Sequence, residues 1–189
     1  MDAMDSRAAE ILAFWFGSAD RDRRWFEKNA AFDTEVRGRF LALHAEGAAG
    51  KLARWKNEPA DCLALIVLLD QFPRNMFRGT ARAFATDPLA LEAARHALAK
   101  GFDRALRPVE RMFVYLPYEH AESLEEQLRC CELTAPLAGF AETADAYRYA
   151  TLHRDIIQRF GRFPHRNAIL GRPSTPEEIE FLKGPGSSF

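Results

Sequence analysis

The sequence predicts an all-α protein, and three observations support that prediction. Apolar residues recur at helical spacing through nearly all of the 189-residue chain. No stretch alternates apolar and polar residues with the period of two that a half-buried strand needs. Prolines and glycines separate the periodic segments, where helices begin and end. We therefore expect one helical domain over residues 1–183, a bundle of seven to eight helices, followed by a flexible tail at residues 184–189.

The first half of the chain divides into helices as follows. A helix is predicted over residues 6–16, and a short one over about residues 22–28. Asp33 has the residue type of an N-cap and is predicted to open the next helix. Another opens at Pro59, because proline is favoured in the first helical turn. Its residues 62–69 are apolar on all sides, so we expect this helix to lie at the centre of the bundle.

In the second half, Asp87-Pro88 opens a helix, and the next runs from Pro108 to Pro117, which ends or kinks it. A further helix follows that turn, and its early glutamates are explained by the favourable macrodipole at a helix start. A long helix covers about residues 143–160, and a capping box at residues 175–178 opens the last one. The predicted core contains Leu65, Ile66, Leu69, Phe72, Leu128, Ile156 and Phe160.

Composition excludes several classes of function. Lys and Arg total 26 against 27 Asp and Glu, a net charge of −1, which argues against a nucleic-acid partner. No apolar run approaches the roughly 20 residues needed to cross a bilayer, and the N-terminus lacks the pattern of a signal peptide. The three cysteines show no C-x-x-C spacing and are expected to be reduced. We therefore expect a cytoplasmic protein without a membrane partner, and the sequence specifies no oligomeric state.

Motifs for cofactors and metals are also missing. The chain has no P-loop, no dinucleotide-binding glycine motif and no H-E-x-x-H. It also lacks the paired Glu-x-x-His motifs of a di-iron bundle. We predict neither a cofactor nor a metal site.

Two segments repeat one arrangement. Residues 71–75 close the central helix, because Pro73 is predicted to stop it, and residues 162–167 follow the long late helix. Each segment leads from an apolar helix into Phe-Pro and then into an Arg-Asn pair. A loop with glycine and a helix that opens with proline follow in both cases. The distance between them differs from the period of about 34 residues in a tetratricopeptide array. We therefore expect the two segments to form equivalent corners of one bundle.

These corners are part of a set of motifs that extends over most of the chain. The segments are Phe14-Trp15-Phe16, Trp25-Phe26, Leu69-Asp70-Gln71-Phe72-Pro73-Arg74-Asn75, Phe84-Ala85-Thr86-Asp87, Tyr115-Leu116-Pro117, Glu119-His120-Ala121-Glu122 and Phe160-Gly161-Arg162-Phe163-Pro164-His165-Arg166-Asn167. With these segments, the sequence resembles the bacterial domain-of-unknown-function family 924. The resemblance implies a tetratricopeptide-like fold of packed helix hairpins and implies no activity.

Three residues are candidates for catalysis. Asp70 follows an apolar run and is predicted to lie in the last turn of its helix, where its negative charge opposes the helix dipole. A residue in such an unfavourable position has either an ion-pair partner, such as Arg74, or a role in function. His153 lies on an apolar stripe, which suits a core histidine as well as a catalytic one. His120 is placed near a helix start, where the dipole keeps the ring neutral as a base, a hydrogen-bond donor or a cap.

Basic side chains concentrate in the loops that follow the two Phe-Pro segments. Guanidinium groups bind carboxylates and phosphates bidentately. If the two corners face each other, they form a basic pocket flanked by a tyrosine and a histidine. The predicted ligand-binding residues are Arg74, Arg78, Tyr115, His120, Arg162, His165 and Arg166.

Three functions fit these residues. The first is binding of a small anionic ligand, a carboxylate or a phosphate, with or without catalysis. The second is a tetratricopeptide-like interaction module whose arginines hold the acidic terminus of a peptide. In the third, every arginine is a structural clamp on carbonyl groups at helix ends.

Overall fold

The structure is a computed structural model that describes residues 4–17, 25 and 27–187, and the helical class predicted above is confirmed. The described residues contain no strand. The predicted helix at about residues 22–28 falls largely outside the described residues, as do residues 188–189 of the predicted tail. The α-helices are α1 (Ser6–Phe16), α2 (Ala30–Ala48), α3 (Pro59–Met76), α4 (Asp87–Ala99), α5 (Pro108–Glu119), α6 (Leu124–Thr134), α7 (Ala146–Phe160) and α8 (Pro176–Phe181).

Helix α3 lies at the centre of the bundle, as its all-round apolar character predicts. Every side chain from Cys62 to Pro73 is buried. Helices α1, α2, α4 and α5 pack around it, and α6 and α7 pack on each other beyond α5. Short 3-10 turns occupy several of the connections: Ala53–Asn57, Ala81–Phe84, Phe102–Ala105, Ala135–Gly139, Ala141–Thr143 and Pro164–Arg166.

Helix α3 does not end at Phe72-Pro73, so that prediction is wrong. It continues through Pro73 to Met76. A proline inside a helix removes one backbone hydrogen bond and leaves the carbonyl four residues earlier without its donor. Here that carbonyl belongs to Leu69, and the Thr86 hydroxyl donates to it at 2.6 Å. The interruption is therefore repaired by a side chain that precedes α4.

Two other helix boundaries differ from their predictions. Helix α2 begins earlier than expected, because the Asn29 side chain, not that of Asp33, accepts the first backbone N–H groups. Helix α5 passes through Pro117 and ends at Glu119, so His120 is its C-cap. Gly161 ends α7 with a φ of +69°, a conformation that favours glycine.

The main core is aromatic around α1, α3 and α5. Rings of Trp15 and Phe72 meet at 5.5 Å, and those of Trp15 and Phe113 at 5.8 Å. A second, smaller cluster surrounds Ile156 and Phe163 near α7 and α8. Most of the predicted core residues are buried: Leu65, Ile66, Leu69, Phe72 and Ile156.

Leu128 and Phe160 depart from the predicted core. Leu128 is 48% exposed and Phe160 only half-buried. Helix α6 instead buries a mixed face: Glu126, Gln127, Cys130, Cys131 and Thr134. The amide of Gln127 donates at 2.5 Å to the carbonyl of Glu119 at the end of α5. The buried face of α6 is thus partly polar because it donates a hydrogen bond to a backbone carbonyl at the end of α5. A pattern of apolar residues cannot indicate this contact.

Among the helices of the described residues, none combines the length and apolarity that crossing a bilayer requires.

Candidate functional site

Asp70 and His120 form the centre of a buried polar cluster. Asp70 lies in the middle of α3, not in its last turn, and its side chain is 1% exposed. Its Oδ1 lies 2.8 Å from His120 Nδ1, and its Oδ2 accepts from Gln71 Nε2 at 2.6 Å. Because an ionised carboxylate only accepts hydrogen bonds, this geometry assigns the proton of the neutral imidazole to Nδ1.

Arg74 joins this carboxylate to the start of α4. Its guanidinium binds Asp87 bidentately, at 2.9 and 3.0 Å, and Nη1 lies 3.5 Å from Asp70 Oδ1. The predicted ion pair between Asp70 and Arg74 is therefore present, although Arg74 contacts Asp87 more closely. Burial opposes ionisation of Asp70, but the Arg74 charge and the hydrogen bonds hold its pKa below the ordinary value.

His120 does not lie near a helix start, so the dipole argument made from the sequence is wrong for this residue. It caps the C-terminus of α5, where the dipole favours the charged ring. Burial and the nearby Arg74 charge nevertheless lower its pKa and favour the neutral ring. Its side chain retains 14% exposure, and Nε2 forms no hydrogen bond with any residue that the structure describes.

Arg166 approaches the same histidine from the loop after α7. Its Nη1 donates to the His120 carbonyl at 3.1 Å and lies 3.7 Å from Asp87 Oδ2. The guanidinium carbon lies 4.6 Å from the Phe84 ring centroid and 4.5 Å from that of Phe163. Burial and the Arg74 charge lower its pKa to about 10. Its Nε is buried and has no hydrogen-bond partner within the described residues.

Glu119 completes the cluster from the last turn of α5. Its carboxyl is buried, and Oε1 lies 3.4 Å from His153 Nδ1. Burial and the charge of Asp70 raise its pKa to about 8, so the carboxyl is largely protonated at neutral pH. We use the name polar cluster for Asp70, Arg74, Asp87, Glu119, His120 and Arg166.

Sequence reasoning missed two members of the polar cluster. It assigned Glu119 to the solvated start of a helix, whereas α7 and α6 bury it at the end of α5. It treated Asp87 only as a helix start. The available signal was the short motif Glu119-His120, in which a second titratable group adjoins the candidate histidine.

The predicted histidines of the second half both lie near the polar cluster. His153 Nδ1 is 2.9 Å from the Tyr149 carbonyl, and its ring centroid is 6.4 Å from that of His120. Burial lowers the pKa of His153 to about 3. His165 packs on Phe163, its Nδ1 is buried without a partner among the described residues, and burial lowers its pKa to about 4.

The other predicted ligand residues are engaged elsewhere. Tyr115 donates its hydroxyl to Asp103 at 2.9 Å. Arg78 binds Asp33 at 2.7 and 2.8 Å, and Asn75 donates to the same carboxylate at 2.8 Å. We call this set, Asn75, Arg78 and Asp33, the first clamp.

The second corner contains a matching set. Arg162 binds Glu178 at 2.6 and 2.8 Å, and Asn167 donates to that carboxylate at 3.2 Å. We call Arg162, Asn167 and Glu178 the second clamp. Each clamp holds a carboxylate in the first turn of a helix, α2 in one case and α8 in the other. The repeated Phe-Pro segments are therefore alike in this contact, although Pro73 lies inside a helix and Pro164 follows one.

The polar cluster contains groups for acid–base chemistry and a guanidinium that can bind an anion. A carboxylate fixes one imidazole nitrogen and leaves the other free to accept a proton, while a protonated carboxyl and a buried guanidinium lie alongside. In the part of the chain that the structure describes, no group of three or more His, Cys, Asp or Glu side chains could hold a metal ion.

Comparison with known proteins identifies a family. Residues 11–186 match the family described as "Bacterial protein of unknown function (DUF924)". The chain is also similar to a solved structure titled "Structure of Protein of Unknown Function ATU0120 from Agrobacterium tumefaciens", at 46% identity and a TM-score of 0.87. That match covers 95% of this chain and 98% of the other. A search of curated proteins finds no match. The chain therefore belongs to the DUF924 family of bacterial proteins of unknown function.

Proposed function

We propose that the protein binds a small anionic ligand, a carboxylate or a phosphate, at Arg166. The observation that supports this function best is the state of the Arg166 guanidinium. It is buried, it is stacked between Phe84 and Phe163, and its Nε has no partner within the described residues. A buried donor without a partner costs free energy, and an anion is the partner that a guanidinium binds most strongly.

The other arginines do not share this state. Arg74, Arg78 and Arg162 each form two hydrogen bonds to one carboxylate, which neutralises their charge locally. Arg172 likewise binds Glu122 at 2.6 and 2.9 Å. The proposed site is therefore narrower than the pocket expected from the sequence and is centred on Arg166, with His120 and His165 beside it.

The surroundings of Arg166 are accessible from solvent. The side chains of Arg74, Asp87 and His120 retain 20%, 17% and 14% exposure. The Phe163 ring is buried and the Phe84 ring is partly buried, so both lower the local dielectric around the guanidinium and strengthen a charge-assisted hydrogen bond. A cytoplasmic location is part of the proposal, since three free, buried thiols suit a reducing compartment.

Thermal unfolding in a series of anions tests this function. We compare inorganic phosphate, acetate and succinate with chloride at constant ionic strength, because screening alone shifts melting temperatures. An anion present at about 100 times its Kd stabilises the fold by about 2.7 kcal/mol, a shift of about 5–10 °C for a chain of this size.

Two variants make the test specific. Arg166→Met keeps an apolar side chain between the two rings but removes the charge, so the anion-induced shift should disappear. Arg148→Ala removes a 58% exposed guanidinium on α7 and should leave the shift intact. A parent protein that no anion stabilises, or an Arg166→Met protein that responds like the parent, would contradict the proposal.

A second candidate function is peptide binding by a tetratricopeptide-like bundle. One observation favours it: a groove of about 500 Å³ is lined by Leu98, Tyr118 and Leu128. Arg95 and Arg129 also line it and are paired with Glu126 and Glu132. The same thermal series separates the two functions. If small anions stabilise the protein, Leu128→Ser should leave that stabilisation unchanged and Arg166→Met should remove it. This result supports the site at Arg166 over the groove.

A further inference from the structure

We infer that Asp70 and His120 form a general-base dyad that activates water against a small ester bound through its own carboxylate or phosphate at Arg166. This inference rests on the proposed function, because Arg166 supplies the anion-binding half of the site. The catalytic residue is His120, whose Nε2 faces the substrate. Asp70 is a positioning residue that acts through the other ring nitrogen.

The first argument is the state of the two ring nitrogens. Nδ1 lies 2.8 Å from an oxygen of Asp70, which is 1% exposed and held by Gln71 and Arg74. A carboxylate held in this way fixes the Nδ1–H tautomer and leaves a lone pair on Nε2. That nitrogen forms no hydrogen bond with the described residues, and the side chain retains 14% exposure. It is the nitrogen available to a substrate.

The second argument is that a direct hydrogen bond joins the base to the anion site. Arg166 Nη1 donates at 3.1 Å to the carbonyl of His120 itself. The position of the guanidinium relative to the imidazole is therefore set by a direct hydrogen bond. Asp70 and His120 also belong to α3 and to the end of α5, two packed helices that provide a more rigid support than loops.

The third argument concerns the nucleophile. No Ser, Thr or Cys side chain of the described residues forms a hydrogen bond to His120 Nε2. Cys130, the thiol near this region, is buried and lies 4.0 Å from Glu119 Oε2. A covalent enzyme intermediate therefore lacks its nucleophile, and the partial exposure of His120 allows water to take that place.

The reaction balances without a cofactor. Nε2 takes a proton from water as the water oxygen bonds to the ester carbonyl carbon, and the carbonyl π pair moves onto oxygen. The tetrahedral adduct then collapses, the bond from carbon to the leaving oxygen breaks, and the proton on Nε2 passes to that oxygen. The products are a carboxylic acid and an alcohol or phenol, one of which keeps the anionic group.

The pH dependence follows from the groups around His120. Asp70 and Arg74 face it from α3, Glu119 from α5 and Asp87 from α4, and His153 and Arg166 approach from the C-terminal part. Burial is the largest influence and lowers the pKa of His120 below 6.5. The rate should therefore rise with pH through the acidic range and become constant near neutrality.

Hydrolysis of two matched esters tests the inference. We use 4-acetoxybenzoate, which carries a carboxylate, and phenyl acetate, which does not. His120→Gln should lower the turnover of both by about 10²-fold or more. Asp70→Asn should cause a comparable loss and change the pH profile, because an amide donor at Nδ1 forces the proton onto Nε2. Arg148→Ala should match the parent.

Arg166→Met tests the dependence on the anion site separately. It should raise KM for 4-acetoxybenzoate by about tenfold or more, and its effect on phenyl acetate hydrolysis should be smaller because that ester carries no anionic group. Suppose that anions stabilise the parent through Arg166 but neither ester is hydrolysed faster than in buffer. The general-base inference is then wrong, and the proposed anion site is retained. If Arg166→Met affects neither ester and His120→Gln affects both, the dyad remains and the anion site is wrong.

The imidazole spectrum provides a readout that does not depend on turnover. In ¹⁵N NMR of the parent, His120 should show a protonated Nδ1 and an unprotonated Nε2 at neutral pH. This measurement also covers the case in which Asp70→Asn fails to fold. A parent protein with the proton on Nε2 would overturn the inference, because that nitrogen could not accept a proton.

Discussion

The Thr86 hydroxyl donates to the Leu69 carbonyl at 2.6 Å, and Leu69 is the residue that Pro73 leaves without a backbone donor. Both side chains are buried. This contact joins the centre of α3 to the residue that precedes α4, and it explains how a helix passes through a proline in the middle of the core.

Replacement of Thr86 by valine tests that role. Thr86→Val keeps the shape and leaves the Leu69 carbonyl buried without a donor, which should lower the free energy of unfolding by about 1–3 kcal/mol. Urea denaturation measures the change. Thr151→Val is the matched control, because the Thr151 hydroxyl bonds to a carbonyl on the exposed side of α7 and should matter little. Equal effects of the two substitutions would exclude a special role for Thr86.

Removal of the Asp70 carboxylate should be strongly destabilising. Asp70→Ala removes the acceptor of the Gln71 amide and of His120 Nδ1, and it leaves Asp87 as the carboxylate that faces Arg74. Loss of one partner from a buried ion pair typically costs about 3–5 kcal/mol. The free energy of unfolding from urea titration checks this value. If the variant melts like the parent, Asp70 does not contribute to stability through these contacts.

Glu119 should make the protein less stable as the pH rises. Its folded pKa of about 8 is above the ordinary value of 4.5, so the folded state binds the proton more tightly than the unfolded state. The stabilisation is complete below about pH 4.5 and is lost as the pH rises toward 8. Its size is of the order of a few kcal/mol.

A matched variant isolates this titration. Glu119→Gln cannot ionise, so the stability of the variant relative to the parent should increase between pH 5 and pH 8. His153 and His165 act in the opposite direction, because their folded pKa values of about 3 and 4 make stability rise with pH up to about 6.5. Taking the difference between variant and parent removes the contribution of His165. His153 keeps part of its contribution in the difference, because its Nδ1 lies 3.4 Å from Glu119 Oε1. A difference that does not change with pH would show that Glu119 is ionised in the folded protein.

The two clamps should be separable from anion binding. Arg78→Ala and Arg162→Ala each remove a guanidinium that already binds a carboxylate, so the melting shift induced by phosphate or succinate should persist in both variants. The same thermal series measures it. Loss of the shift in either variant would show that the arginine contributes to anion binding, as the sequence predicts.

Local patterns predicted much of the helical architecture. The apolar run at residues 62–69 indicated the central helix, and Gly161 ends α7 as its position suggests. Pro73 was misleading as a helix end, and Pro117, predicted to end or kink its helix, lies inside α5. The donor that lets α3 continue past Pro73 comes from Thr86, 17 residues away from Leu69 in the chain, and no local pattern contains it.

The site was predicted in outline and not in detail. Asp70, His120 and Arg166 were all candidates. Which arginines are neutralised by a carboxylate, and which one is available to a ligand, depends on the contacts that each forms in the folded protein. Arg162 and Arg166 are four residues apart, yet one binds Glu178 and the other lies between two phenylalanine rings. Likewise, Glu119 has a raised pKa because helices distant in the chain bury it and bring the Asp70 charge near it. Such properties arise from tertiary packing and cannot be derived from the spacing of residues in the sequence.

The division of the apolar interior into two clusters has a consequence for local opening. The smaller cluster around Ile156 and Phe163 has few buried side chains, so backbone amides of α7 and α8 should exchange with solvent through openings that leave α3 protected. Phe84 packs on the larger cluster and Phe163 belongs to the smaller one, and the Arg166 guanidinium lies between their rings. Under the proposed function, an anion bound there should hold the two clusters together and slow exchange in the last third of the chain.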